Sequence, residues 1–233
     1  HLQATGRALL SGGIRFAAGS SGVTRALVLA WRKAGLLPEQ PVAQRSNAGP
    51  VDRLLVVSGS CSPVTSRQIK YAAKAAYATI RADVAALLRG EASEERRLIE
   101  DATLALADNG RCAIYSADGP LENLARIAGD RLGAALGRVA DEVIRRARLK
   151  RVVFAGGDTS SHGVTQLGID ALTLAAPIEP GVPLVRASAS DPVIDGLELA
   201  LKGGQMGGDD FFETVRRGGA PESIPQGVKV LSS

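Results

Sequence analysis

The sequence predicts an α/β domain with a mainly parallel sheet, helices on both faces, and shorter, partly antiparallel elements toward the C-terminus. Short apolar runs of strand type alternate with longer segments of helical periodicity, the order typical of a parallel sheet. Three runs end in glycine- and serine-rich turns, which we call turn 1 (residues 58–62), turn 2 (156–160) and turn 3 (203–208). With 233 residues, 45% of them hydrophobic, the chain can build one large core.

Composition argues against several classes of function. Aromatic residues make up only 3% of the chain, too few for the stacking platforms of single-stranded nucleic-acid binding. The net charge of +4 is a mild excess, and we interpret the basic run from Arg145 to Arg151 as a solvated helix end. Cys61 and Cys112 have neither disulfide nor metal-ligand spacing. Without an apolar span or a signal peptide, we expect no nucleic-acid or membrane partner and a cytoplasmic location.

The first 50 residues contain one expected strand–turn–helix unit. A helical spacing of leucines comes first, then a strand over 14–18, a Gly/Ser turn at 19–22 and a helix from Val23 to Trp31. Residues 35–50 lack periodicity, and we interpret them as a surface connection.

The second unit runs from residue 54 to residue 80. A buried strand over 54–57 leads into turn 1, and Ser62 with Pro63 suits the start of a helix. Thr65 with Gln68 offers a capping box as an alternative start. Apolar residues from Ile69 to Ile80 then mark one helix face. We interpret Cys61 as a small buried thiol rather than a nucleophile.

The middle of the chain leads to turn 2. We expect an exposed helix over 90–110, a strand over 112–115, a long amphipathic helix from Leu124 to Ile144, and a central strand over 152–155. Thr159 and Ser160 then follow as candidate caps of the next helix. For turn 2 alone, a tight βα turn without a ligand remains an open alternative.

Shorter elements follow turn 2. We expect a short helix over 163–169, a strand over 171–175, a proline-imposed turn at 177–183 and a half-buried strand over 197–201 that leads into turn 3. Asp209 then suits the cap of a helix over 210–217.

Turns that follow parallel strands converge at one edge of the sheet, where ligands of α/β proteins bind. Lys202 adds a cation to turn 3 and Asp158 a carboxylate to turn 2, a set that suits a polyphosphate with magnesium. Neither a Walker A loop nor a dinucleotide fingerprint follows any strand. The residues themselves therefore predict a nucleotide- or phosphate-binding domain.

Several motifs resemble the C-terminal nucleotide-binding domain of four-carbon acid sugar kinases. They extend from residue 19 to Phe212, and they are specific as a set. The motifs are Gly19-Ser20-Ser21-Gly22, Val57-Ser58-Gly59-Ser60-Cys61-Ser62-Pro63 with Gln68-Ile69 behind it, Ala155-Gly156-Gly157-Asp158-Thr159-Ser160 with Leu167-Gly168-Ile169 behind it, Pro180-Gly181-Val182-Pro183-Leu184, and Leu199-Ala200-Leu201-Lys202-Gly203-Gly204.

The resemblance implies an ATP-dependent kinase acting on threonate, erythronate or 3-oxo-tetronate, with Mg²⁺ held by Asp158. It implies residues 1–24 as a junction with an absent N-terminal acid-sugar domain and 25–233 as the nucleotide domain, with homo-oligomers possible. Where the family has Asn-Phe, this chain has Gln205-Met206. Catalytic residues for the acceptor are expected in the other half. The implied nucleotide contacts are Ser58, Gly59, Gly156, Gly157, Asp158, Thr159, Ser160, Lys202, Gly203 and Gly204.

Two other functions stay open from the sequence. One is a non-catalytic nucleotide-binding module that senses or regulates. The other, a Rossmann-type oxidoreductase, is disfavoured by the missing fingerprint. His162, just beyond turn 2, is interpreted as a surface histidine without a role.

Overall fold

A computed structural model describes residues 1–14, 16–37, 48–117 and 129–219, and the chain divides into two units, 1–44 and 45–233. The first unit is a pair of helices, α1 (Leu2–Ser11) and α2 (Ser21–Lys33). The two helices approach closely where Gly6 lies against the backbone of Ala26. Ser20 caps α2 by accepting a hydrogen bond from the Gly22 amide.

The strand expected over residues 14–18 is wrong. Ile14 and residues 16–19 have no regular structure, and Arg15 lies outside the described residues. Phe16 is 84% exposed, so no neighbouring strand covers the apolar run that prompted the prediction. The domain boundary expected after residue 24 falls inside α2 and stays a prediction.

The second unit is built on a mixed seven-stranded sheet. The strands are β1 (Leu54–Ser58), β2 (Ala78–Arg81), β3 (Arg111–Tyr115), β4 (Arg151–Ala155), β5 (Ala171–Glu179), β6 (Val182–Ser188) and β7 (Glu198–Lys202). Their order in the sheet is β2-β3-β1-β4-β7-β6-β5. The five strands from β2 to β7 in that order are parallel, and β6 and β5 continue the sheet antiparallel. This arrangement confirms the predicted fold class.

Helices cover both faces of the sheet, because side chains of successive strand residues point to opposite faces. These helices are α3 (Pro63–Lys74), α4 (Val84–Arg89), α5 (Ala92–Asp108), α6 (Gly129–Ala147), α7 (Gly157–Gln166) and α8 (Phe211–Arg217). In β1, Leu55 and Val57 belong to the apolar core formed with α4 to α6, whereas Leu54 and Val56 belong to the core formed with α3 and α8. All four are fully buried, as expected for a central parallel strand.

Two of the three expectations for residues 63–147 need correction. The helix face expected to reach Ile80 ends with α3, and Ile80 lies in β2 opposite Ile114. The helix expected over 90–110 is α5, but it is not an exposed helix, since Leu98 and Leu106 are fully buried. The long amphipathic helix is confirmed as α6, whereas Leu124 lies outside the described residues.

The elements toward the C-terminus begin and end at other residues than the sequence predicted. The helix expected over 163–169 is α7, which begins at Gly157 and ends at Gln166. The strand over 171–175 continues as β5 through Pro177, because an edge strand tolerates a residue without an N–H. The sharp turn is confined to the two residues after Glu179, where Gly181 has a φ of +82°.

Charged residues account for two further corrections. Arg151, predicted to lie in a solvated helix end, is 1% exposed and forms an ion pair with Glu198 across β4 and β7. Its guanidinium also donates to the Val215 carbonyl at the end of α8. Asp209 does not cap α8; its carboxylate accepts a hydrogen bond from Arg67 on α3 at 3.0 Å. Within the described ranges, no helix has both the length and the apolar character needed to cross a lipid bilayer.

Candidate functional site

Turns 1, 2 and 3 meet at the carboxyl edge of the parallel strands, because β1, β4 and β7 are neighbours in the sheet. Two backbone hydrogen bonds continue the strand pairing into the turns. The Gly59 amide donates to the Ala155 carbonyl at 3.1 Å, and the Gly156 amide donates to the Lys202 carbonyl at 2.9 Å. The predicted convergence of the three turns is therefore present.

Glycine is required where the turns touch one another. A Cβ on Gly204 would lie 2.5 Å from the Ser60 Oγ and 2.9 Å from the Ser62 Cβ. A Cβ on Gly59 would collide with the Thr159 hydroxyl oxygen. Gly156 has a φ of +119°, a backbone conformation open to glycine and strained for any other residue. The glycines thus allow three backbone segments to share one small space.

Hydroxyl groups hold turn 1 from within. The Ser58 Oγ accepts from the Ser60 amide at 3.4 Å, the Ser60 Oγ from the Ser62 amide at 3.2 Å, and the Ser62 Oγ from the Val64 amide at 3.2 Å. Ser62 is the N-cap of α3 with Pro63 at the first helical position, which confirms the first of the two predicted helix starts. Ser58 is fully buried, so its hydroxyl lies behind the surface of the edge.

Turn 2 is the open part of the edge. Gly157 and Asp158 are exposed in the first turn of α7, and a Cβ on Gly157 would have no heavy atom within 4 Å. Thr159 and Ser160 are not caps, since Gly156 takes the N-cap position and the Ser160 Oγ donates back to the Gly156 carbonyl at 2.7 Å. No side chain caps α7, so its first amides are available to an anion.

Turn 3 is held by helix α3, a contact that the sequence analysis missed. The Thr65 hydroxyl donates to the Gly204 carbonyl at 2.9 Å. The Gln68 amide donates to the Met206 carbonyl at 3.0 Å and to the Gly208 carbonyl at 2.8 Å. Thr65 and Gln68, predicted as an alternative capping box, therefore bind a turn about 140 residues away in sequence. In the sequence the two residues appear only as a polar pair one helical turn apart, and capping was the wrong explanation for that spacing.

Lys202 lies beneath turn 3 and not on its surface. Its side chain is 1% exposed, and its Nζ donates to the Thr65 Oγ1 at 3.0 Å and to the Gly204 carbonyl at 3.4 Å. Removal from water lowers the pKa of Lys202 to about 8, and the charge of Glu179 opposes that shift. Glu179 also accepts a hydrogen bond from the Gly208 amide at 3.1 Å.

Two side chains near turn 2 complete the edge. The Asp158 carboxylate points toward the start of α6, where its Oδ2 lies 3.3 Å from the place of a Cβ on Gly129. The His162 Nε2 lies 3.3 Å from the Asp130 Oδ1, so this half-buried histidine has a partner on α6. In the described segments, no three His, Cys, Asp or Glu side chains form a cluster that could hold a metal. A metal at this edge would depend on ligand oxygens in addition to Asp158.

Cys61 lies in turn 1 and is partly exposed, which corrects the prediction of a buried thiol. Cys112 lies in β3 and is fully buried, and burial raises the pKa of its thiol to about 12. A metal-ligand or disulfide role for the pair has no support in this arrangement.

A separate cleft of about 570 Å³ opens beyond the ends of β2 and β3. Of its lining cations, Arg97 is paired with Glu94 at 2.7 Å and with Asp101 at 2.9 Å, and Arg81 also borders the cleft. The uncapped first amides of α7 make the three turns the better candidate for a phosphate site.

Comparison with known sequences identifies the domain. Residues 55–212, from β1 to α8, match the family described as nucleotide-binding C-terminal domain. The chain is 41% identical over 219 residues to the 3-oxo-isoapionate kinase of Paraburkholderia graminis, covering 87% of this chain and 46% of that one. It is 36% identical over 212 residues to the 3-oxo-tetronate kinase of Cupriavidus necator, covering 85% and 45%. The chain thus spans about half the length of these relatives.

Solved structures agree on the fold. A Salmonella typhimurium protein described as a putative tRNA synthase matches with a TM-score of 0.65 and 27% identity, over 93% of this chain and 50% of that one. A Haemophilus influenzae protein matches with a TM-score of 0.63 and 23% identity, over 92% and 50%. The second likeness concerns the fold alone.

Proposed function

Because the chain belongs to the nucleotide-binding C-terminal domain family of the four-carbon acid sugar kinases, we propose that it binds ATP for the phosphorylation of a sugar acid. The observation that carries the proposal is the meeting of three glycine-rich turns at the carboxyl edge of β1, β4 and β7. Relatives named for 3-oxo-isoapionate and 3-oxo-tetronate favour a small sugar acid of the tetronate type as acceptor.

The phosphates would bind at the start of α7. The first amides of this helix have no side-chain cap, and together with the helix dipole they favour negative charge. Gly157 is exposed and has open space around it, so a phosphate can approach the backbone closely. Amides fixed in this way stabilise charge on the transferring phosphoryl group without reorganising during the reaction.

Turns 1 and 3 would border the rest of the nucleotide. Gly203 and Gly204 present backbone next to Ser60 and Ser62, and side chains there would fill the space between the turns. Ser58 and Lys202 are both buried, and they hold the shape of the turns. Gly59 and Thr159 contribute through the contact between turns 1 and 2, and Ser160 through its hydrogen bond to the Gly156 carbonyl within turn 2.

Asp158 would hold a magnesium ion beside the phosphates. Magnesium in proteins keeps several waters and takes one or two carboxylates plus substrate phosphates, a donor set that a single exposed carboxylate beside a phosphate site fits. When bound, the ion supplies charge neutralisation between the phosphates. Asp158 orients that charge, and the α7 amides hold the terminal phosphate in place.

The acceptor would bind in another part of the protein. We propose that an N-terminal acid-sugar domain joins near residues 1–24 and contributes the acceptor site and general base. The 233-residue chain would then bind nucleotide without phosphorylating a sugar acid. Homo-oligomers are compatible with this arrangement, and the cytoplasm is the proposed compartment because ATP is the donor.

Isothermal titration of the 233-residue chain tests nucleotide binding. ADP and Mg-ATP should bind, and NAD should not, because NAD-binding folds use a fingerprint that this chain lacks. Absence of ADP binding would contradict the proposal. Addition of the N-terminal domain of a relative in trans should then restore phosphorylation of 3-oxo-tetronate; binding without any restored turnover would favour a regulatory module.

Asp158→Asn tests the magnesium site. The side chain is exposed, so the fold should persist, while loss of the charge should weaken Mg-ATP binding by about 1–3 kcal/mol. Binding of ATP in EDTA should change far less, because a carboxylate repels free phosphates. An equal loss of affinity with and without magnesium would remove Asp158 from the metal site.

A further inference from the structure

We propose that Lys202 is a positioning residue that holds turn 3 from beneath and provides a buried positive charge for the bound phosphates without touching them. This inference rests on the proposed nucleotide function. It differs from the sequence expectation, in which Lys202 contacts the nucleotide directly.

The contacts of Lys202 place it behind the binding surface. Its side chain is 1% exposed, and two of its ammonium donors are directed to the Thr65 hydroxyl and the Gly204 carbonyl. The centroid of the Phe211 ring of α8 lies 5.9 Å from the Nζ. A ligand at the sheet edge would contact the backbone of Gly204, and that backbone would separate it from the Lys202 ammonium.

The ammonium has no ion-pair partner in the part of the chain that the structure describes. Glu179, the carboxylate that acts on it electrostatically, binds the Gly208 amide instead. The other charged groups on the elements packed against Lys202 are paired elsewhere or exposed. Arg67 pairs with Asp209, and Glu213 pairs with Arg216 and Arg217 and accepts a hydrogen bond from Tyr77. Lys70 and Lys74, on α3, are exposed.

A buried cation without a counter-ion favours the arrival of an anion nearby. A nucleotide polyphosphate above turn 3 would be such an anion, at a short distance and across a desolvated layer of backbone. The unliganded amine has a pKa of about 8, so near pH 8 it is charged in only part of the molecules. Binding of phosphates should raise that pKa, and the protein should then take up a proton as the nucleotide binds.

The experiment is calorimetric titration of the 233-residue chain with ADP at pH 8, in buffers of different ionisation enthalpy. Phosphate groups have a second pKa near 6, so the nucleotide itself contributes little at this pH. If the pKa of Lys202 rises by one unit on binding, uptake should be about 0.4 proton per ADP, and the affinity should fall about five-fold between pH 7 and pH 9. ADP binding with no proton uptake would overturn the inference and leave nucleotide binding standing. No binding at all would overturn both.

Three variants locate the proton. Lys202→Met, which replaces the amine by an apolar chain of similar length, should abolish the uptake and weaken ADP binding about 10-fold at pH 7. Thr65→Val removes the hydroxyl that holds Gly204 but keeps the ammonium, so it should retain the uptake. Lys74→Met, an exposed lysine at the end of α3, is the matched control and should retain it too. Uptake that survives in Lys202→Met, or disappears in Lys74→Met, would assign the proton to another group. If Lys202→Met does not fold, absence of proton uptake in the wild type still overturns the inference.

Discussion

Turn 2 and turn 3 have the same character in sequence, two adjacent glycines after a buried strand, but they are held in opposite ways. No side chain caps the start of α7 at turn 2, and Gly157 stands in open space. Turn 3 is bound by Thr65, Gln68 and Glu179, and Lys202 lies beneath it. The comparison shows that a glycine-rich turn can offer its backbone to a ligand or use its glycines to pack against other parts of the protein.

The difference follows from what each turn lies against. Turn 2 leads directly into α7, so the helix itself fixes its backbone, and the free amides face outward. Turn 3 is followed by residues that reach α8 only at Phe211, and backbone without regular structure needs other partners for its carbonyl groups. Helix α3 supplies those partners. The same substitution should therefore have different effects in the two turns.

Gly204→Val should give the larger effect, and it should appear in stability. The new side chain would collide with Ser60 and Ser62, and such overpacking should lower the free energy of unfolding by roughly 3 kcal/mol. Urea denaturation measures the loss. A stable Gly204→Val protein would show that turn 3 moves freely, against the comparison.

Gly157→Val should leave stability almost unchanged and abolish binding. Its backbone lies outside the left-handed region and its surroundings are open, so the fold accommodates the side chain. The valine would occupy the space of the phosphate, and we expect a loss of about 100-fold in ADP affinity, equivalent to about 2.7 kcal/mol. Unchanged ADP affinity in a folded variant would remove turn 2 from the site.

Lys202, beneath turn 3, should make the free energy of unfolding depend on pH. Its folded pKa of about 8 lies below its ordinary value of 10.5, so burial of the charge destabilises the fold most below pH 8, and the penalty declines as pH rises toward 10.5. The free energy of unfolding of wild type, minus that of Lys202→Met, should therefore rise by about 1.5 kcal/mol between pH 8 and 9.5.

The subtraction is needed because Cys112 acts in the opposite direction. Its buried thiol keeps its proton up to about pH 12, whereas the unfolded thiol loses it near 9, so this contribution to stability is lost between those values. The exposed Lys74→Met serves as the matched control, since its amine is in water in both states. If the difference in free energy of unfolding between wild type and Lys202→Met does not change with pH, water reaches the Lys202 ammonium in the folded protein.

Local patterns in the sequence predicted the sheet, the two helical faces and the three turns. Runs such as 54–57 and 152–155 are apolar at every position because central parallel strands are buried on both faces. The serine ladder of turn 1 and the cap of α3 also depend on neighbouring residues only, so Ser62 with Pro63 was recognisable.

Features that depend on distant residues were not predictable in this way. Gln68 and Arg151 look like ordinary polar residues of a helix start and a basic run, and only the fold brings Gly208 to one and Glu198 to the other. The expected strand over 14–18 failed for the complementary reason, since an apolar run forms a strand only where a sheet accepts it. Family resemblance implied a nucleotide contact for Lys202, but it did not reveal that this side chain is buried.

The bonds from Gln68 to turn 3 have a consequence for hydrogen exchange. Surface loops usually exchange their amide hydrogens through small local openings of low free energy. Turn 3 cannot open without breaking both bonds to Gln68, a fully buried residue in the middle of α3. The amides of Met206 and Gly208 should therefore exchange at rates that follow those of α3, although about 140 residues of chain, roughly 450–500 Å when extended, separate them from Gln68. In Gln68→Ala the turn should exchange early while the helix stays protected.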